Sequence, residues 1–98
     1  MKSNYLNILK ETVLHYLRDE DVSIALFGSY AKNCNYHGSD VDIAIIPHAD
    51  IARWKISELR EIISEHSYIP FKVDLVDFSM VSEEFKTQSL LTAVWWRN

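Results

Sequence analysis

The apolar run Val22-Ser23-Ile24-Ala25-Leu26-Phe27 stops at Gly28-Ser29, and eleven residues after that serine the chain reads Asp40-Val41-Asp42-Ile43-Ala44-Ile45-Ile46. Both runs are too short for a buried helix and both are bounded by turn residues, so they read as strands. Successive side chains of a strand point to opposite faces, which sends Asp40 and Asp42 to one side and Val41, Ile43 and Ile45 to the other. A chain that buries the second set while keeping two carboxylates in water must build a sheet with one face covered.

The flanking sequence supplies helices to cover that face. Leu6, Leu9, Val13 and Leu17, supported by Ile8 and Leu14, recur at three- and four-residue steps between Lys10, Glu11 and Arg18, which predicts an amphipathic helix before the first strand. Ile51, Trp54, Leu59, Ile62 and Ile63 form a second apolar stripe, with Asp50 as the expected N-cap. Phe71 to Phe78 reads as a third strand. Ser82-Glu83-Glu84-Phe85 reads as a helix start, with acidic residues where they complement the helix dipole, and the helix is expected to run towards Leu90, Leu91, Val94 and Trp95-Trp96. A short helix is expected over 29–32 and a loop over 33–39. Helices alternating with three strands give an α/β (α+β) sandwich with the sheet at its centre, its helices lying mainly on one face. Ninety-eight residues suffice for one compact domain, 1–98, and leave no length for a second.

Charge and cysteine usage narrow the function classes. Ten basic against fourteen acidic residues leave a net charge of -4, so no overall positive field draws in long nucleic acid. Cys34, the only cysteine, has no internal disulfide partner, and no apolar stretch approaches a membrane span or a signal-peptide core. A soluble cytoplasmic protein is expected.

Two like charges on one strand face repel and raise each other's pKa unless a cation sits between them. Magnesium, which favours carboxylate, phosphate and water oxygens, is the natural neutraliser. Taken alone, the D-x-D tripeptide is as compatible with an exposed strand edge. Gly28, with no side chain, lets backbone approach a phosphate closely, and Ser29 opens a turn whose free N–H groups and hydroxyl suit an anion. A third carboxylate is needed if two metal ions serve an in-line phosphoryl transfer. Of Asp74 and Asp77, which differ in parity, Asp74 lies between the core-facing Val73 and Leu75 and falls on the open face; Asp77 reads as a turn or cap residue at the strand end. His15, His37, His48 and His66 show no metal-ligand spacing. His37, in the loop beside the site, is either a nucleotide contact or merely exposed.

The combination of Gly28-Ser29-x-Ala31-Lys32, then Ser39-Asp40-x-Asp42-x-Ala44, then Val73-Asp74-Leu75-Val76-Asp77, resembles the polymerase-beta-like nucleotidyltransferase superfamily, and specifically its minimal nucleotidyltransferase (MNT) branch. The resemblance spans about residues 5–95. It implies a small mixed β-sheet flanked by helices and a transfer of a nucleoside monophosphate, AMP from ATP, to an acceptor hydroxyl with two Mg2+ ions. By position it makes Asp40, Asp42 and Asp74 the metal ligands, with Asp74 also activating the acceptor, and Gly28, Ser29 and Lys32 the triphosphate contacts. Family members usually carry Arg at the position of Tyr30 and Gly at that of Asn33. Loss of that Arg removes a phosphate contact, for which Lys32 either compensates or is simply a solvated side chain.

The MNT branch is typically encoded beside a helical HEPN protein, and the chain resembles the antitoxin that adenylylates a tyrosine of that partner. Trp54, Trp95 and Trp96 are large apolar groups for so small a domain, and the adjacent Trp95-Trp96 pair cannot easily face one core. Trp54 reads equally as core packing or as an interface anchor, whereas the Trp95-Trp96 pair marks a surface for a partner or for self-association. Two other outcomes stay open: transfer to a small molecule or an RNA end, with a partner supplying the acceptor site, and neutralisation of a partner by binding alone.

Overall fold

A computed structural model describes residues 2–28, 40–69 and 72–98. The expected 29–32 helix and 33–39 loop, with Ser29, Tyr30, Lys32, Asn33, Cys34 and His37, lie outside the described residues. The elements run α1 (Lys2–Tyr16), β1 (Val22–Phe27), β2 (Val41–Pro47), α2 (Arg53–Ser64), β3 (Val73–Asp77), α3 (Glu83–Leu90) and β4 (Val94–Arg97). The four strands form one mixed sheet in the order β3-β2-β1-β4. β1 is antiparallel to both neighbours, and β2 is parallel to β3.

Every residue of β1 is buried, as its unbroken apolar run requires of a strand with both faces covered. One face carries the larger core. Leu9, Val13 and Leu17, at the periodic positions of α1 and just beyond it, join Ile56, Leu59 and Ile63 of α2 over Ile24, Leu26, Val41, Ile43, Ile45 and Leu75. The other face carries a smaller cluster of Ala25, Phe27, Ala44, Ile46 and Phe78, with Leu90 of α3 packed against it. Two helices therefore cover one face and α3 covers part of the other.

Two departures from the sequence reading have an identifiable physical cause. The segment following Ser82 is not one helix to the tryptophans: α3 ends at Leu90, and Val94–Arg97 is a fourth strand. The Ser82 cap is as expected, its side chain accepting from the Phe85 N–H at 3.1 Å, with Glu83 and Glu84 in the first turn. What ends the helix is the free edge of β1. Its hydrogen-bonding groups need a partner, and the β-branched and aromatic Val94-Trp95-Trp96 supplies one, with Leu26 opposite Val94 and Ala25 opposite Trp95. The second correction concerns Asp50. Helix α2 begins at Arg53, so Ala52 occupies the N-cap and contributes no side-chain bond, while Asp50 is too far upstream. Burial of Ile56, Leu59 and Ile63 carries that helix instead.

Tertiary hydrogen bonds tie the layers together. Arg97 donates to the carbonyls of Leu17 (2.9 Å) and Glu20 (2.8 Å), anchoring β4 to the end of α1. Arg60 donates to the Leu75 carbonyl at 2.8 Å from α2, occupying one acceptor on the outer edge of β3. Lys55 and Glu20 form a half-buried ion pair at 2.7 Å.

Candidate active site

The strand register assembles the carboxylates. Val41 N–H donates to the Lys72 carbonyl at 2.9 Å and Phe78 N–H to the Ile45 carbonyl at 2.8 Å, so the parallel ladder is bonded beyond both ends of β3. Within it Asp42 stands directly beside Asp74. On its other side Asp42 stands opposite Phe27, the last residue of β1 before Gly28. Asp40 precedes β2 at the same end. Asp40 and Asp74 are exposed and Asp42 is half-buried.

Strand parity placed Asp42 correctly, yet its face is not simply open. Ala44 and Ile46, on the same parity, lie under the small aromatic cluster near α3. The carboxylates therefore occupy the uncovered end of a face whose other end is a hydrophobic core. This placement has an electrostatic consequence: burial first, then the charges of Asp74 and Asp40, raise the Asp42 pKa above the usual carboxylate value. An acid held this way gains from any cation that neutralises it.

Gly28 closes the site from β1. Its backbone has φ +77°, in the left-handed region that side chains disfavour, and a Cβ there would run into the Asp42 carboxylate. The glycine thus serves two needs at one position, a left-handed backbone at the end of β1 and room for Asp42. Asp77, by contrast, belongs to a turn, accepting from the Ser79 N–H (2.9 Å) and hydroxyl (2.7 Å).

Among the described residues, no three His, Cys, Asp or Glu side chains are already gathered about one metal position. Magnesium is commonly held by one or two carboxylates together with substrate phosphates and water rather than by an all-protein cage. The Asp42–Asp74 pair with Asp40 nearby has the donor chemistry and the surplus negative charge for such an ion. Ser29 and Lys32, expected at the phosphates, lie outside the described residues.

One feature beside the carboxylates was not read from the sequence. An open recess of about 330 Å³, lined by Phe27, Gly28, Phe85, Gln88 and Ser89, adjoins the glycine. Phe85, Gln88 and Ser89 have the i, i+3, i+4 spacing of one helix face, a signal present in the sequence but without meaning until α3 is placed over Phe27. A somewhat larger recess of about 370 Å³, lined by Pro47, Asp50, Arg53, Asp77 and Met80 among others, lies at the opposite end of β2 and β3, away from Asp42 and Asp74.

Residues 8–94 match the family model described as "Polymerase beta, Nucleotidyltransferase". A Haemophilus influenzae protein named "Probable protein adenylyltransferase MntA" is 37% identical over 86 residues, covering 88% of this chain and 73% of that protein. A crystal structure of a toxin-antitoxin with AMP-PNP superposes with a TM-score of 0.69 at 27% identity, covering 89% of this chain and 71% of the other. A structure of tri-AMPylated Shewanella oneidensis HEPN toxin in complex with MNT antitoxin gives a TM-score of 0.64 at 25% identity, covering 92% and 70%. Among the described residues no helix is long and apolar enough to cross a membrane.

Proposed function

This chain belongs to the polymerase-beta nucleotidyltransferase family, and on that premise we propose that it is a protein adenylyltransferase, moving AMP from ATP to a tyrosine hydroxyl of a helical HEPN-type partner and acting as that partner's antitoxin. The observation that carries the reading is the side-by-side register of Asp42 and Asp74 next to a positive-φ glycine. Structural likeness to an AMP-PNP-bound toxin-antitoxin supports ATP as donor, and likeness to an AMPylated HEPN toxin complex supports the acceptor. The lone cysteine and the use of ATP fit the reducing cytoplasm.

Asp40, Asp42 and Asp74 would hold two magnesium ions, which when bound supply charge neutralisation of the triphosphate and of the attacking oxygen. Gly28 gives the phosphates access to backbone, and Ser29 and Lys32 would add a hydroxyl donor and a cation. The acceptor oxygen bonds to the α-phosphorus as the bond to the β-phosphate oxygen breaks, and pyrophosphate leaves. Asp74, the exposed member of the pair, would orient the acceptor hydroxyl and take its proton. Asp42, half-buried, is the fixed member of the pair.

The test is transfer from α-labelled ATP with magnesium, in the presence of a HEPN-type helical protein, of free nucleosides and of RNA ends. Label on a tyrosine of the helical partner is expected. Label only on RNA or a small molecule would replace the acceptor, and full neutralisation of the partner with no label would replace enzymatic action by binding.

A further inference from the structure

The recess beside Gly28 has no part in the carboxylate chemistry, yet it adjoins the glycine that packs against the Asp42 carboxylate. We propose that α3 supplies the nucleobase subsite, with Phe85 as the stacking surface and Gln88 as the residue that reads the edge of adenine. The inference rests on the nucleotidyltransferase reading and deepens it, since nothing in the carboxylate site distinguishes one base from another.

Three observations support it. The recess lies on the carboxylate face: Phe27, part of its lining, stands opposite Asp42 in the β1–β2 register. Its volume of about 330 Å³ falls within the range of small-molecule sites, about 300–1,000 Å³. Its lining has the chemistry of a base. Phe85 is braced by edge contacts with Phe27 (centroids 6.3 Å apart) and Phe78 (5.8 Å), yet 45% of it remains exposed. A fixed ring with free surface is a stacking platform, and every base has a π-face to lay on it.

Gln88, one turn further along α3, is exposed and lines the same recess. A carboxamide offers one donor and one acceptor, the pairing that matches the N6 and N7 edge of adenine; guanine presents an acceptor at O6 where adenine presents the N6 donor. A tyrosine of a partner protein is the competing occupant. It would use the aromatic wall but has only one hydroxyl for the amide, so the donor-acceptor pair favours a base.

The experiment measures binding of ATP, GTP and inorganic tripolyphosphate, each with magnesium, to the full chain and to Gln88→Ala and Phe85→Leu. Gln88 is an exposed helix position and Leu keeps the apolar volume at 85, so both variants should fold, which circular dichroism and thermal melting check. Wild type is expected to bind ATP more tightly than GTP. Gln88→Ala should erase that preference, and Phe85→Leu should weaken both nucleotides by about tenfold. Tripolyphosphate affinity should not change in either variant. Nucleotide affinities and base preference that match wild type in both variants overturn the subsite while leaving the transferase reading intact. Unchanged ATP binding with a raised KM for the polypeptide acceptor overturns it in favour of tyrosine. A wild-type chain that binds none of the three ligands overturns the subsite together with the reading beneath it.

Discussion

Gly28 and Asp42 constrain each other, and each makes a prediction. A methyl group at position 28 must both adopt φ +77° and displace the Asp42 carboxylate. The left-handed backbone alone costs a non-glycine residue about 1–2 kcal/mol. Gly28→Ala should therefore lower Tm by roughly 4–16 °C and weaken magnesium-dependent ATP binding as well. An unchanged melting curve would show that Gly28 is not held where the structure has it. Asp42 makes the opposite prediction for stability. Its pKa is raised in the folded chain, so between the ordinary carboxylate range and the raised value the folded state binds more protons than the unfolded state. Stability then falls as pH rises through that window, and the ionised carboxyl is a cost at neutral pH. Asp42→Asn should raise the Tm of the magnesium-free protein at pH 7 by roughly a few degrees and flatten its pH dependence. Melting at pH 4 to 8 checks this; a variant less stable than wild type throughout would contradict it.

At the scale of elements, β4 is where sequence and structure part. The heptad-like stripe of α1, the β1 run, the D-x-D strand and the Ser82 cap are all local patterns, and local patterns can be read from sequence. Val94-Trp95-Trp96-Arg97 is too short to show a period, and its conformation is fixed by the β1 edge, far away in sequence. The same pairing resolves the tryptophans: Trp96 packs on the main core, whereas Trp95 stands opposite Ala25 and stays 40% exposed. The candidate site divides likewise. Parity alone selected Asp74 over Asp77, but the recess under Phe85 required α3 to be docked over Phe27.

Arg97 tests the strand directly, since its guanidinium caps the Leu17 and Glu20 carbonyls, 80 and 77 residues away in sequence. Arg97→Ala should cost about 2 kcal/mol, as expected for hydrogen bonds from a charged donor. It should also speed amide exchange in β4 more than in β3. Exchange in β4 that is equal in Arg97→Ala and wild type would mean that β4 is held by its ladder alone. A second tie behaves differently with pH. Burial, then the hydrogen bond to Glu58 and that group's charge, push the Tyr16 phenol up to about 12. The folded state keeps this proton longer than the unfolded state, so the contribution is present below pH 10 and lost as pH rises towards 12. Tyr16→Phe should cost about 1 kcal/mol at pH 7, and the gap from wild type should close in alkaline solution.

The whole molecule is a small mixed sheet. One face is sealed by α1 and α2; the other is part hydrophobic core and part an uncovered end that carries Asp42 and Asp74. Trp54, 60% exposed, and the exposed Leu91, Val94 and Trp95 leave large apolar side chains in water, in keeping with assembly on a partner that brings the acceptor. The central claim is that Asp42 and Asp74 act together on the triphosphate, and the direct measurement is single-turnover transfer from α-labelled ATP to the helical partner at saturating magnesium. Asp42→Asn and Asp74→Asn, each folded by circular dichroism, should reduce the rate by at least about a hundredfold, with the double variant little worse than either single one. Near-wild-type transfer in either single variant would contradict the account.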